Sequence, residues 1–260
     1  MSKKQIKVIQ KEVRSGNDRR RFLKLGGLAL AGTGLMMACT EDEVIMAQDD
    51  PAMNPEPDAN NDDDMMPENG IFDLGEGDLG VLNYAYALEQ LEADFYTKVV
   101  NNFYSNISQE EKIVLTDLYN HEVNHREFFK AAITAAVEGN TELVLPTLEF
   151  DYGDFDFNNR DQVLNTAKAL EDTGVSAYNG AGRLLQNPIY LVLAGKIVSV
   201  EARHASAIRT LVNPGSADFA GDDIVTVDNG LDLAKDPSEV LAAVAGLGYV
   251  QTEFTAKFLP

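Results

Sequence analysis

Two segments of this 260-residue chain repeat one spacing: Glu122 and His125 in HEVNHREFF (121–129), and Glu201 and His204 in VEARHAS (200–206). The chain has three histidines, and two of them follow a glutamate by three positions. On a helix, residues three apart lie on one side, about a turn from each other. The neighbouring residues show which side that is. Leu115, Leu118, Phe129 and Ile133 share the face of Glu122, and Ala194, Ile197, Ala205 and Ile208 share the face of Glu201. Both pairs are therefore aimed at a core, where an unpaired carboxylate costs several kcal/mol or takes up a proton. Few folds tolerate this, and those that do supply a counter-charge.

Two further acids follow the same rule. A helix predicted over about Asp78–Tyr104 sets Glu89 in a stripe of Leu82, Ala85, Ala93, Tyr96 and Val100. Another, over about Asp161–Leu185, sets Glu171 among Leu164, Ala167, Val175 and Tyr178. The second helix opens at Ser108, where SQEE forms a capping box with Glu111, and closes near Gly139. The fourth opens with Asn187 as cap and Pro188 in the first turn, and stops before NPG at 213–215. A shorter fifth helix opens at DPSE (236–239), and VLAAVAGLGYV (240–250) is expected to pack over one end. The fold class expected is all-α, a four-helix bundle with a short extra C-terminal helix. The bundle also repeats itself. Tyr96 follows Glu89 by seven residues and Tyr178 follows Glu171 by seven, while the Glu89–Glu122 and Glu171–Glu201 spans are 33 and 30. Four carboxylates facing one another in a core require bound cations.

One Glu from each of two helices, plus Glu-x-x-His from each of the other two, is the pattern of ferritin-like carboxylate di-metal sites. Residues 78–212 resemble a ferritin-like domain. More narrowly, LNYAYALEQLEADFYTKVV, TAKALEDTGVSAYNGA and EARHASAIR resemble exported ferritin-like proteins grouped with plant desiccation-related proteins. The resemblance implies six metal-ligand positions, Glu89, Glu122, His125, Glu171, Glu201 and His204. It also implies two iron ions as cofactor, with manganese as the alternative, a choice that suits carboxylate and imidazole donors. Cys39 is the sole cysteine, which excludes thiolate clusters and an intrachain disulfide. Glu92, Tyr96, Asp172 and Tyr178 are candidates for supporting the ligands, although core packing is the first expectation for both tyrosines and a solvated flank for both acids. His121 sits about 100° around the helix from Glu122 and is read as peripheral. Arg126, Arg203 and Arg209 can pair with inner or flanking acids, surface ion pairs being the first expectation.

Upstream of the bundle the composition changes. Residues 1–38 hold nine of the 21 Lys/Arg and two of the 42 Asp/Glu, leaving twelve basic and forty acidic residues, a net of −28, over the rest. Such a surface repels nucleic acid and anionic lipid, so no nucleic-acid partner is expected, and metal cations are the natural ligands. RRRFLK (19–24) before a short Gly-rich apolar run resembles a twin-arginine export signal, with Arg19 and Arg20 as the pair. LMMAC resembles a lipobox ending at Cys39, which would anchor the chain to a membrane through lipid, facing the periplasm or cell surface. Cleavage after Ala47, giving a soluble periplasmic protein, is the alternative. Residues 39–77 are expected to form a disordered acidic tether, residues 78–212 the bundle, and residues 213–260 an extension. Two functions follow as expectations. One is a ferroxidase-like di-iron oxidoreductase that oxidises Fe(II) or reduces oxygen or peroxide. The other is a non-catalytic, stress-protective bundle whose metal is structural or absent. A homodimer or other small species is expected in preference to a storage shell.

Overall fold

The structure, a computed structural model, describes residues 70–260. The Arg19–Arg20 export signal, Cys39, the Ala47 alternative and the acidic stretch up to residue 69 lie outside the described residues. A two-residue strand, β1 (Phe72–Asp73), precedes four long helices: α1 (Gly77–Asn101), α2 (Gln109–Ala136), α3 (Arg160–Ala181) and α4 (Pro188–Val212). A shorter α5 (Pro237–Leu247) and a strand β2 (Phe254–Thr255) follow. The expected all-α bundle is present. Its tightest packing is within the pairs α1/α2 and α3/α4, which then meet α1 against α3 and α2 against α4.

Local chemistry sets most of the helix ends. The Ser108 side chain accepts from the Glu111 backbone and Glu111 accepts from the Ser108 backbone, closing the capping box that opens α2. Asn187 caps α4, with Pro188 in its first turn. Asp236 and Glu239 form a second capping box at α5. Two ends differ from expectation. α1 stops at Asn101, three residues before Tyr104, and α3 yields at Gly182 to a tighter turn over Gly182–Leu184.

Regular structure begins before residue 78, within the stretch expected to be tether. Phe72–Asp73 pairs in parallel with Phe254–Thr255, Leu74 donates its N–H to Thr255 O at 2.8 Å, and Leu74 is fully buried. Ile71, Phe72 and Leu74 give this stretch apolar side chains to bury.

Helix α1 is buried nearly all round from Gly80 to Ala93, so it is the central element of the bundle. Its outer face is covered by the connection between α2 and α3. The Asn83 side chain donates to Leu74 O and Leu143 O at 3.1 and 3.0 Å and accepts from Leu145 N at 2.9 Å. One heptad later, Gln90 donates to Pro146 O at 3.2 Å and accepts from Leu148 N at 2.9 Å. These two amides satisfy a loop backbone that burial would otherwise leave unpaired. The C-terminal extension holds α3 instead. The Lys235 N–H bonds Ser176 O at 3.0 Å, and Val240, Leu241 and Val244 of α5 are buried. No helix among the described residues is long and apolar enough to cross a membrane.

Candidate metal centre

The helical stripes bring the four carboxylates to one point. Glu89 of α1, Glu122 of α2, Glu171 of α3 and Glu201 of α4 are each 0 % exposed. His125 Nδ1 lies 3.0 Å from Glu201 Oε1, 3.2 Å from Glu122 Oε2 and 3.5 Å from Glu89 Oε2. His204 Nδ1 lies 2.8 Å from Glu122 Oε1, 3.4 Å from Glu171 Oε2 and 3.8 Å from Glu201 Oε2. Two four-residue donor sets result: Glu89, Glu122, His125 and Glu201, and Glu122, Glu171, Glu201 and His204. Within each, one donor atom per residue lies within 4.8 Å of the others. Glu122 and Glu201 belong to both.

The donor set fits a pair of cations. Glu89 Oε2, Glu122 Oε1, Glu171 Oε2, both oxygens of Glu201 and Nδ1 of His204 are buried and accept or donate no hydrogen bond. The 2.8 Å contact between His204 Nδ1 and Glu122 Oε1 is short, but its atoms are not aligned for a hydrogen bond. These atoms are aimed at shared space, not at one another. Buried polar atoms are nearly always satisfied, so a cluster of orphans marks a site suited to cations.

The electrostatics agree. Burial pushes Glu171 up to about 8 against the pull of His204, and pushes Glu89 and Glu92 well above the usual carboxylate range. Burial opposes charge on His125 and His204 as well, but the carboxylates around them outweigh it and hold both imidazoles up at about 12. Burial likewise opposes ionisation of Glu122, yet the two imidazoles draw it down to about 2. These shifts favour protonated side chains in a metal-free cluster, and cation binding would release protons.

The flanking candidates separate. Tyr96 and Tyr178 do more than pack. The Tyr96 hydroxyl donates to Glu171 Oε1 at 2.5 Å, and the Tyr178 hydroxyl donates to Glu89 Oε1. A buried phenol needs a partner, and each tyrosine finds one on the opposite helix of the repeat. Glu92 lies in the cluster: a Cβ built on Gly174 would stand 3.1 Å from Glu92 Oε1 and 3.5 Å from Glu201 Oε2. Asp172 turns away from the cluster. Arg209 donates to it through two nitrogens, at 2.9 and 2.8 Å, and to Asp223 at 2.6 and 3.1 Å. Arg209 is thus a buried clamp between α3 and the C-terminal extension, and not a surface pair, whereas Arg126 bonds Glu127 at the surface. His121 is not peripheral. Its Nδ1 lies 2.8 Å from His204 Nε2. The helical-wheel angle describes α2 alone, while the contact is made with α4.

A small apolar cavity of about 30 Å³ lies beside Tyr178, between all four helices, lined by Leu82, Ala85, Phe129, Ala181 and Ala194 among others.

A comparison with curated proteins finds no match. The family model described as a ferritin-like domain matches residues 77–214, from the first turn of α1 to just past the end of α4, and so spans every residue of the cluster. The chain belongs to the ferritin-like domain family.

Proposed function

We propose that this bundle holds a carboxylate-bridged di-metal centre, most simply di-iron, that oxidises Fe(II) with dioxygen or peroxide. The single observation that carries it is the set of orphaned, fully buried donor atoms shared between two overlapping groups. Glu89 and His125 would hold one ion, Glu171 and His204 the other, and Glu122 and Glu201 both. When bound, two adjacent iron ions would supply paired one-electron redox chemistry that no side chain here can. The chain's own contribution is to orient and to exclude. The Tyr96 and Tyr178 hydroxyls fix the Glu171 and Glu89 carboxylates. The closed core keeps bulk water from the four carboxylates, while His125 is partly exposed. The cavity beside Tyr178, apolar and small, suits dioxygen better than water.

The test is metal analysis of natively produced protein, followed by Fe(II) addition in air with oxygen uptake recorded. About two bound iron ions per chain and oxygen uptake above the protein-free rate are expected. A folded protein that binds neither iron nor manganese sinks the proposal. Binding without oxygen uptake, together with lower stability in a Glu122→Ala/Glu201→Ala variant, would favour the non-catalytic, stress-protective bundle. The location proposed for this chemistry is outside the cytoplasm. Arg19–Arg20 and Cys39 support that reading, as a folded, lipid-anchored export.

A further inference from the structure

The two halves of the centre differ on the outer side of their histidines. His204 turns Nδ1 toward Glu122 and Glu171, and its Nε2 faces His121 Nδ1 at 2.8 Å. The two rings lie within 10° of parallel, with centroids 5.1 Å apart. With the nitrogens this close, that separation describes two rings joined edge to edge in one plane, not a face-to-face stack. The contact is therefore a well-aligned N–H···N hydrogen bond.

An imidazole that offers Nδ1 to a cation must carry its remaining proton on Nε2. His204 is then the donor and His121 Nδ1 the acceptor. His125 has no such support: among the described residues its hydrogen bonding is to Glu122 alone, on the inner side. The chain's internal repeat explains the difference. His121 precedes Glu122 by one residue, and the residue that precedes Glu201 is Val200, whose side chain can accept nothing.

We propose that His121 is a positioning residue for one of the two metal positions. It fixes the tautomer and ring direction of His204, so the Glu171/His204 position binds metal more tightly and fills before the Glu89/His125 position. This rests on the cluster being a di-metal centre. Partners of this kind typically change metal affinity about 10–100-fold when removed. Here only one of two positions should feel the change.

The experiment is a titration of metal-free, full-length protein with Mn(II), read by electron paramagnetic resonance of the free ion. Anomalous diffraction at half saturation assigns the position filled. Wild type should bind in two steps, with the ion first found beside His204. His121→Ala should weaken one step about 10–100-fold and leave the other within a factor of about three. His121→Asn should recover most of the loss, because its Oδ1 can stand where Nδ1 stood and accept the same bond. His121 is exposed on α2, so both variants are expected to fold. The inference is overturned if His121→Ala leaves both steps unchanged, if it weakens both equally, or if the Asn variant behaves like the Ala variant. Wild type that binds no Mn(II) or Fe(II) overturns the di-metal proposal itself, a separate outcome.

Discussion

The pairs α1/α2 and α3/α4 supply the same donors at matched places, yet their surroundings diverge. Glu89 and Tyr96 correspond to Glu171 and Tyr178, and Glu122–His125 corresponds to Glu201–His204. Each tyrosine bonds the glutamate of the other pair. Around this shared frame the first pair adds Glu92 where the second has Gly174, and His121 where the second has Val200. The outer layers differ too. A loop is bonded along α1 by Asn83 and Gln90, while the extension after α4 crosses α3 so closely that Gly180 has no room for a side chain. The donors stay the same across the repeat because both pairs must face one point. The flanks are free to differ, and those differences would make the two proposed metal positions unequal.

The sharpest way to break the comparison is to remove a shared donor and then an unshared one. Glu122→Gln keeps side-chain volume but takes one bridging carboxylate from both positions. Metal affinity should fall at both by at least about 100-fold, beyond the usual cost of losing an outer partner. Glu89→Gln and Glu171→Gln each touch one position and should leave the other bound. Equilibrium dialysis with elemental analysis reads all three. If Glu122→Gln keeps one ion at wild-type affinity, the two positions do not share that carboxylate.

A second test separates the outer layers. A Cβ at Gly180 would sit 1.7 Å from Lys235 O, so Gly180→Ala must push the extension off α3. The Asn179–Leu233 bond and the Arg183–Asp236 ion pair lie beside this crossing and would be strained with it. Overpacking of this kind costs about 1–3 kcal/mol, sometimes more. Lys98 holds the matching place on α1, where it forms a half-buried pair with Asp94 and lies 5.1 Å from the centre of the Tyr152 ring. Lys98→Ala should cost about 0.5–1 kcal/mol, from the ion pair and the contact with the Tyr152 ring. The midpoint of urea unfolding distinguishes the two.

What could be read from the chain alone depended on whether a feature is local or shared. The inward glutamates were legible because each sits on a stripe with helical period, and the capping residues at Ser108, Asn187 and Asp236 were legible because they act within one turn. His121 was not, because its partner His204 lies 83 residues away on another helix and no single-helix projection contains it. Tyr96 and Tyr178 look like core aromatics until the opposite helix supplies a carboxylate. Gly174 acquires meaning only when Glu92 is seen to fill the space beside it. The cover over α1 has no period to read, since it is a loop whose backbone is satisfied by two amides. Phe72–Asp73 pairs with residues near the other end of the chain.

A further expected effect concerns Glu92 and depends on pH. In metal-free protein, burial raises Glu92, Glu89 and Glu171 above the ordinary carboxylate value of about 4.3, so over that window the folded chain holds protons the unfolded chain has released. Stability then falls as pH rises. His125 and His204, held at about 12, act in the same direction above about 6.5. Glu122, drawn down to about 2, acts oppositely: its contribution is present above about 4.3 and is lost as pH falls toward 2. Metal-free protein should therefore melt highest at mildly acidic pH and lose stability steadily through pH 8. Glu92→Gln removes one of the groups that must hold a proton. Its melting temperature should match wild type near pH 4, where both side chains are neutral, and exceed it by a few degrees at pH 8. Bound Mn(II) should flatten the wild-type curve, because cations replace the protons, and should abolish the variant's advantage. A metal-free Glu92→Gln protein that melts below wild type at pH 8 would mean that the Glu92 carboxylate is charged and satisfied in the fold, and that the space beside Gly174 is not what sets the two halves apart.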